Sequence, residues 1–269
     1  MDIIQTIVLG VVQGATEFIP ISSSAHLVLV PWLLSWPVPG LAFDTVLHLG
    51  TLLAVLAVFW PDLVSLVVAW WRSVVQRNFD AREARPAWWI ILGTAPAALM
   101  GTLWEERFEA LFQSPLHVSM LLLVTGLWLM LAERFGGGCR DMEDMNWRQS
   151  LWIGFAQGCA IAPGISRSGA TIGAGLLLGL RRDAATRFSF LLATPIIFGA
   201  GFLQLKRLLE LPELDASLMA LALGFLAAFL SGYGCIRFLM SYVRKRGLAV
   251  FALYCWLFGL CAIAIYLLR

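Results

Sequence analysis

Gly10-Val-Val-Gln-Gly-Ala-Thr-Glu-Phe-Ile-Pro-Ile-Ser-Ser-Ser24 and Gly154-Phe-Ala-Gln-Gly-Cys-Ala-Ile-Ala-Pro-Gly-Ile-Ser-Arg-Ser168 align without a gap, 144 residues apart. Gly10/Gly154, Gln13/Gln157, Gly14/Gly158, Ile21/Ile165, Ser22/Ser166 and Ser24/Ser168 coincide. The differences are chemical. The first copy carries the acid Glu17 and, shortly afterwards, His26; the second has Arg167 where the first has Ser23. Each copy interrupts an apolar stretch (1–36 and 148–180) with Pro, Gly and Ser, residues that break a helix. Bare backbone at membrane depth is tolerated only where it lines a cavity or is buried in protein. Each stretch therefore reads as a re-entrant helical hairpin, and the two loops as halves of one site.

The rest of the chain supplies the membrane. It is 269 residues long, 60% hydrophobic and 13% charged, with a mean hydropathy of +0.82. Such a composition belongs to a polytopic membrane protein, not to a soluble domain with a core. Long apolar runs cover 43–60, 87–103, 115–132, 188–205, 216–235 and 249–268, each near the length needed to span a bilayer. The expected fold is a single all-α membrane domain over 1–269. It is organised as an inverted-topology repeat, 1–132 and 148–269, in which each half holds one hairpin and three transmembrane helices. A net charge of +2 gives no argument for nucleic acid. Five cysteines show neither metal nor disulfide spacing and read as small hydrophobes. No Lys or Arg precedes Arg72, so no basic n-region and no signal peptide are expected.

Basic residues set the orientation. The connections 72–85, 133–148, 181–187 and 236–247 hold four, three, three and four Lys or Arg. The connection 104–114 holds Arg107 among three acids, and 206–215 holds two basic residues against Glu210, Glu213 and Asp215. High and low counts alternate as the crossings demand if the second hairpin enters and leaves from the cytoplasmic side. The first then opens outward, and the two polar loops meet near the bilayer midplane.

Gln13 and Glu17 lie four residues apart, on one face of a helix. A carboxylate inside a membrane segment is costly and by default functional. Ser22 and Ser24 stand where the next helix begins, so capping explains them as readily as chemistry does. Arg167 lies too deep in an apolar run to reach an interface and needs an anion, either Glu17 or a ligand. Its planar fork suits phosphate oxygens, and helix N-termini add positive ends. Glu17 and Gln13 are oxygen ligands for a hard cation, Mg²⁺ or Ca²⁺. Together with a hydroxyl and an imidazole, this is equipment for phosphoryl transfer, and its depth implies a lipid-linked substrate. Asp44 and His48, another i, i+4 pair, read as a polar contact supporting the hairpin.

Gln-Gly-Ala-Thr-Glu-Phe-Ile-Pro-Ile-Ser-Ser-Ser-Ala-His over 13–26 resembles the acidic motif (Glu or Gln, three residues, Glu) of the undecaprenyl-pyrophosphate phosphatase family, the bacitracin-resistance proteins. Pro-Gly-Ile-Ser-Arg-Ser-Gly-Ala-Thr over 163–171 looks like that family's second signature, Pro-Gly-x-Ser-Arg-Ser-x-x-Thr. The resemblance runs the whole length. It implies hydrolysis of undecaprenyl diphosphate to the monophosphate and inorganic phosphate, with a need for Mg²⁺ or Ca²⁺. That reaction recycles the lipid carrier for peptidoglycan at the bacterial inner membrane, with the site facing the periplasm, and confers bacitracin resistance. By position, Glu17 corresponds to the essential acid, Ser23 to the proposed nucleophile, His26 to the essential histidine and Arg167 to the phosphate-binding arginine. Ser22, Ser24, Gly164, Ser166, Ser168 and Thr171 line up as substrate-binding positions. Gln13 stands at the first acidic position and makes the weaker metal ligand. Membrane lipids are the other expected partners, and a homodimer is allowed.

Two assignments stay open at this point. Either Ser23 attacks with His26 as base, or His26 attacks and the serines donate hydrogen bonds. An inverted repeat with broken helices also suits a transporter or flippase that moves a lipid phosphate. The membrane acid phosphatases are excluded, because no Lys precedes position 206 and no His follows Arg167.

Overall fold

Both copies of the duplicated loop end one helix and start another in the computed structural model, which describes residues 2–79, 81–209 and 217–269. In the first copy, helix α1 (Ile3–Phe18) is followed by α2 (Ser23–Leu34). In the second, α7 (Trp147–Cys159) is followed by α8 (Arg167–Leu177). Between the pairs run α3 (Leu41–Val75), α4 (Arg85–Leu103), the short α5 (Glu105–Phe112) and α6 (Pro115–Phe135). After the second pair come α9 (Arg182–Leu209), α10 (Leu218–Tyr242) and α11 (Ala249–Leu268). Among the described residues the fold is all-helical, and six helices are long and apolar enough to cross a membrane. These six coincide with the six apolar runs read from the sequence; the chain is a multi-pass membrane protein. The acid-rich connection 206–215 falls largely outside the described residues.

α3 outruns its predicted span by more than a dozen residues, because hydropathy marks only the part that suits a bilayer. It bends at Phe59 (φ −103°, ψ 17°), two residues before Pro61, whose ring crowds the preceding turn and removes a backbone donor.

Without a hydrophobic drive between helices in lipid, small residues that let backbones approach become the packing device. Gly10 and Gly14 of α1 form a Gly-x-x-x-Gly stripe against Gly224, Ala227, Ala228 and Ser231 of α10. Their partners in the second copy, Gly154 and Gly158, press α7 onto Gly93 and Met100 of α4. A Cβ on Gly154 would meet the carbonyl of Gly93 and lie 2.9 Å from its Cα, where only backbone can yield. Gly154→Val is therefore expected to destabilise the protein by about 2–3 kcal/mol. Thermal melting in detergent reads this, with Gly199→Ala, which meets nothing within 4 Å, as the control that should melt no lower than wild type. Equal midpoints for the two variants would refute the close-packing account.

At one end of the bundle the arginine-rich connections are tied together. Arg82 pairs with Asp144 (2.8 Å), Arg181 with Asp141 (3.0 Å) and Arg182 with Glu133, whose other oxygen accepts the Leu248 N–H (3.0 Å). Each pair is solvent-accessible and adds little stability by itself. Their value here is positional, because they gather the segments around 72–85, 133–148, 181–187 and 236–248 on one side.

Candidate active site

The site is built by two turns that break their helices in similar ways. α1 stops at Phe18, and Ile19 is extended (φ −64°, ψ 135°), as a residue before proline must be. Ser22 turns the chain with a left-handed φ of 69°, an uncommon conformation for a non-glycine residue. Its Oγ accepts the Ala25 N–H (3.3 Å) and caps α2, which puts Ser23 at the first helical position. In the second copy Gly164 (φ 105°) makes the turn, where a side chain would strike the Val118 carbonyl and come within 2.7 Å of Leu121 Cβ. Ser166 Oγ then accepts the Gly169 N–H (3.1 Å) and caps α8, placing Arg167 at the first helical position. Ser23 and Arg167, which face each other in the alignment, are thus the leading residues of two helices.

Contacts across the loops also come in pairs. Ser22 and Ser24 hydroxyls lie 3.1 Å apart, as Ser166 and Ser168 lie 3.2 Å apart. Ser24 Oγ accepts the Gly164 N–H (3.4 Å), and Ser168 Oγ donates to the Ile19 carbonyl (3.3 Å). Thr125 of α6 steadies the second turn by donating to the Gly164 carbonyl (2.8 Å) and accepting the Ser166 N–H (3.0 Å).

Glu17 is the centre. Arg167 Nη2 donates to its Oε1 (2.6 Å), while Gln13 Nε2 (3.0 Å) and the Ser23 hydroxyl both donate to Oε2. Side-chain exposure is only 6% for Glu17 and 17% for Arg167, so this pair from opposite copies is poorly hydrated, and either charge would be costly without the other. Glu17, Ser23 and Arg167 all face one cavity of about 210 Å³, together with Ser22, Ser24 and Ser166. Its remaining walls come from α3, α4, α5, α7 and α9, including His48, Phe112, Gln157 and Gln204.

Not every expected residue reaches that cavity. His26 is 4% exposed and stands behind the first turn. Its Nδ1–H donates to the Ser22 carbonyl (2.7 Å), so Nε2 is the acceptor and takes the Tyr254 hydroxyl (2.8 Å). The ring stacks on Phe258, with centroids 4.8 Å apart and planes 11° from parallel. With both nitrogens engaged, His26 braces the Ser22 turn in this arrangement rather than meeting Ser23. Thr171 donates to the Arg167 carbonyl (2.8 Å) and bonds Ser189 of α9 (2.6 Å), which anchors α8. Gly164 and Ser168 serve the turns described above.

Gln157, His48 and Gln204 line the cavity although the sequence gives none of them a place in the site. Gln157 reads there only as the partner of Gln13; its amide is buried, and neither polar atom has a partner. His48 reads from the sequence as a supporting contact, and Gln204 carries no signal there. Tyr254 and Phe258, behind His26, are an i, i+4 aromatic pair with nothing to distinguish them from other membrane-span aromatics. A buried amide without partners marks a place where a ligand, ion or water belongs.

The donors suit a hard cation. Gln13 Oε1 is buried and unpaired, on the amide whose Nε2 donates to Glu17. Among the described residues no group of three His, Cys, Asp or Glu could hold a metal by itself. One carboxylate and one amide oxygen are donors of the kind that Mg²⁺ and Ca²⁺ take.

Comparison with known proteins gives one consistent answer. The family model described as "Bacitracin resistance protein BacA" matches residues 6–261. The chain is 44% identical over 269 residues to a Moorella thermoacetica protein named undecaprenyl-diphosphatase, covering 100% of both chains. Proteins of the same name from Methanosphaera stadtmanae (43% identity, 98% of each chain) and Thermomicrobium roseum (42%, 94% of each) are similar along nearly their whole lengths.

Proposed function

The chain belongs to the bacitracin resistance protein BacA family, and from this membership and the site's geometry we propose that it hydrolyses undecaprenyl diphosphate. The products are undecaprenyl phosphate and inorganic phosphate, which returns the lipid carrier to peptidoglycan synthesis and underlies bacitracin resistance. One observation carries the reading: the Ser23 hydroxyl donates to a carboxylate that is held from the other copy by Arg167, on the wall of a cavity.

The roles follow from those contacts. Ser23 Oγ attacks the terminal phosphorus and passes its proton to Glu17 Oε2, to which it is already bonded, as the bridging P–O bond breaks and undecaprenyl phosphate leaves. Water then displaces Ser23 Oγ, which regains a proton, and inorganic phosphate departs. The incoming diphosphate draws Arg167 from Glu17, and the guanidinium then holds the phosphoryl oxygens. Gln157, with its amide unpartnered on the cavity wall, offers donors to the same oxygens. His26 positions the Ser22–Ser23 turn. Glu17 and Gln13 Oε1 would hold the Mg²⁺ or Ca²⁺, which when bound neutralises phosphate charge.

The inverted repeat, 1–132 against 148–269, belongs to the same proposal. It is supported by the paired caps, the paired serine contacts and the exchanged packing of α1 on α10 and α7 on α4. Orientation in the inner membrane is supported by the clustered arginine-rich connections, which mark the cytoplasmic end. From Arg182 at that end, α9 rises about 33 Å to Gln204 on the cavity wall, which favours an opening toward the periplasm.

The test is phosphate release from undecaprenyl diphosphate by purified protein in detergent, with Mg²⁺ or Ca²⁺ and then with EDTA. Glu17→Gln removes the proton acceptor and a cation ligand, and is expected to slow release by about 10³-fold. A variant that keeps the wild-type rate would remove Glu17 from the chemistry. Labelled-lipid counterflow without phosphate release would instead favour a transporter.

A further inference from the structure

We propose that Tyr254, on α11, is a positioning residue for the reaction: through His26 it holds the Ser22 turn that presents Ser23 to the cavity. The inference rests on the reading of Ser23 as nucleophile. It starts from the backbone. Ser22 combines φ 69° with ψ 99°, which falls in none of the favoured regions for an L-residue. A non-glycine residue keeps such a conformation only where its surroundings over-determine it. The ψ angle sets the direction of the Ser22 carbonyl and of the chain that leads into Ser23. Whatever binds that carbonyl therefore holds the turn.

His26 binds it twice. Its backbone N–H (3.3 Å) and its ring Nδ1–H (2.7 Å) both donate to the Ser22 carbonyl. A carbonyl can only accept, so Nδ1 carries the hydrogen and the lone pair of the neutral ring sits on Nε2. The imidazole is buried, and a bare acceptor there would be costly. The Tyr254 hydroxyl satisfies it by donating to Nε2 (2.8 Å). That hydroxyl is committed in turn. Tyr254 lies within the α11 span, where lipid offers no partner, and among the described residues it bonds nothing else.

The same turn of α11 grips the loop from both sides. Phe258 stacks on the imidazole at 4.8 Å, and the Tyr254 ring lies 11° from parallel to it with centroids 5.7 Å apart. Cys255, next to Tyr254, points its thiol at the Pro20 carbonyl (3.9 Å). Pro20 precedes the Ser22 turn and His26 follows it. Neither Tyr254 nor His26 lines the cavity, while Ser23 does. Loss of the hydroxyl should therefore act on the aim of Ser23 at phosphorus and leave substrate binding alone.

The experiment measures phosphate release from undecaprenyl diphosphate by the purified protein in detergent with Mg²⁺, well below the melting midpoint. Tyr254→Phe keeps the stacked ring and removes only the hydroxyl. It is expected to lower kcat about tenfold and to leave KM within about twofold. His26→Asn retains an N–H donor for the Ser22 carbonyl but has no Nε2. On that background Tyr254→Phe should cause no further loss, because the hydroxyl acts through Nε2. A readout independent of turnover is the ¹⁵N spectrum of histidine-labelled protein, with the His26 signals assigned by their absence in His26→Asn. Wild type should show Nδ1 protonated and Nε2 accepting a hydrogen bond, and Tyr254→Phe should move the Nε2 resonance. An unmoved resonance overturns the proposal. So does a wild-type kcat in Tyr254→Phe, a loss confined to KM, or a full loss repeated on the His26→Asn background. Each of these leaves the phosphatase reading intact, whereas wild-type protein that releases no phosphate would overturn that reading itself.

Discussion

Ser23→Ala is expected to lower phosphate release by about 10⁴-fold, equivalent to about 5.5 kcal/mol of transition-state stabilisation. The loss should fall on kcat, because the hydroxyl's recorded hydrogen bond goes to Glu17. The fold should survive, since Ser22, not Ser23, caps α2 and Glu17 keeps its bonds to Gln13 and Arg167. Ser22→Ala makes the contrast. It removes a cap worth about 1 kcal/mol but spares the nucleophile, so it should lower the melting midpoint more than the rate. Steady-state kinetics and melting on both variants decide the matter. Ser23→Ala within about tenfold of wild type would remove Ser23 as the nucleophile.

Arg167→Ala should cost about 10³-fold in kcat/KM, the scale on which an arginine stabilises a transferring phosphoryl group. Arg167→Lys keeps the charge but loses the planar fork, and a loss of about 10²-fold is expected. The alanine variant carries a second effect that separates binding from folding. It leaves the nearly buried Glu17 carboxylate without its cation, a change that costs about 3–5 kcal/mol in stability. Adding Glu17→Gln should then raise the melting midpoint again without restoring activity. If the double variant melts no higher than Arg167→Ala, the ion pair is not what stabilises the junction of the two loops.

The placement of the histidines shows where reading the chain stops. His26 follows the serine run and shares its helix, so sequence proximity marks it for the chemistry. In the fold α11 closes over it with Tyr254 and Phe258, and its ring turns away from the cavity. His48 reads from the sequence as a supporting contact with Asp44, yet the rotation of α3 against α1 and α9 brings it to the cavity wall. Rotation of one helix about its axis depends on every surface it packs against, and no local pattern encodes it. Gln157 makes the same point: the alignment pairs it with Gln13, but only the packing strips its amide of partners.

What the sequence determined by itself is the class of protein and the place of its chemistry. Composition and six apolar runs force a multi-pass helical membrane protein, because lipid leaves backbone groups no partner but their own helix. Two Pro/Gly/Ser breaks in apolar stretches force turns, and a lone acid and a lone arginine at that depth require each other or a ligand. Tertiary structure alone decided which hydroxyl meets Glu17, which serines cap, which histidine faces the cavity and which reinforces the turn behind it. Those choices turn on distances of a few ångströms between segments more than a hundred residues apart, which packing sets and spacing along the chain does not.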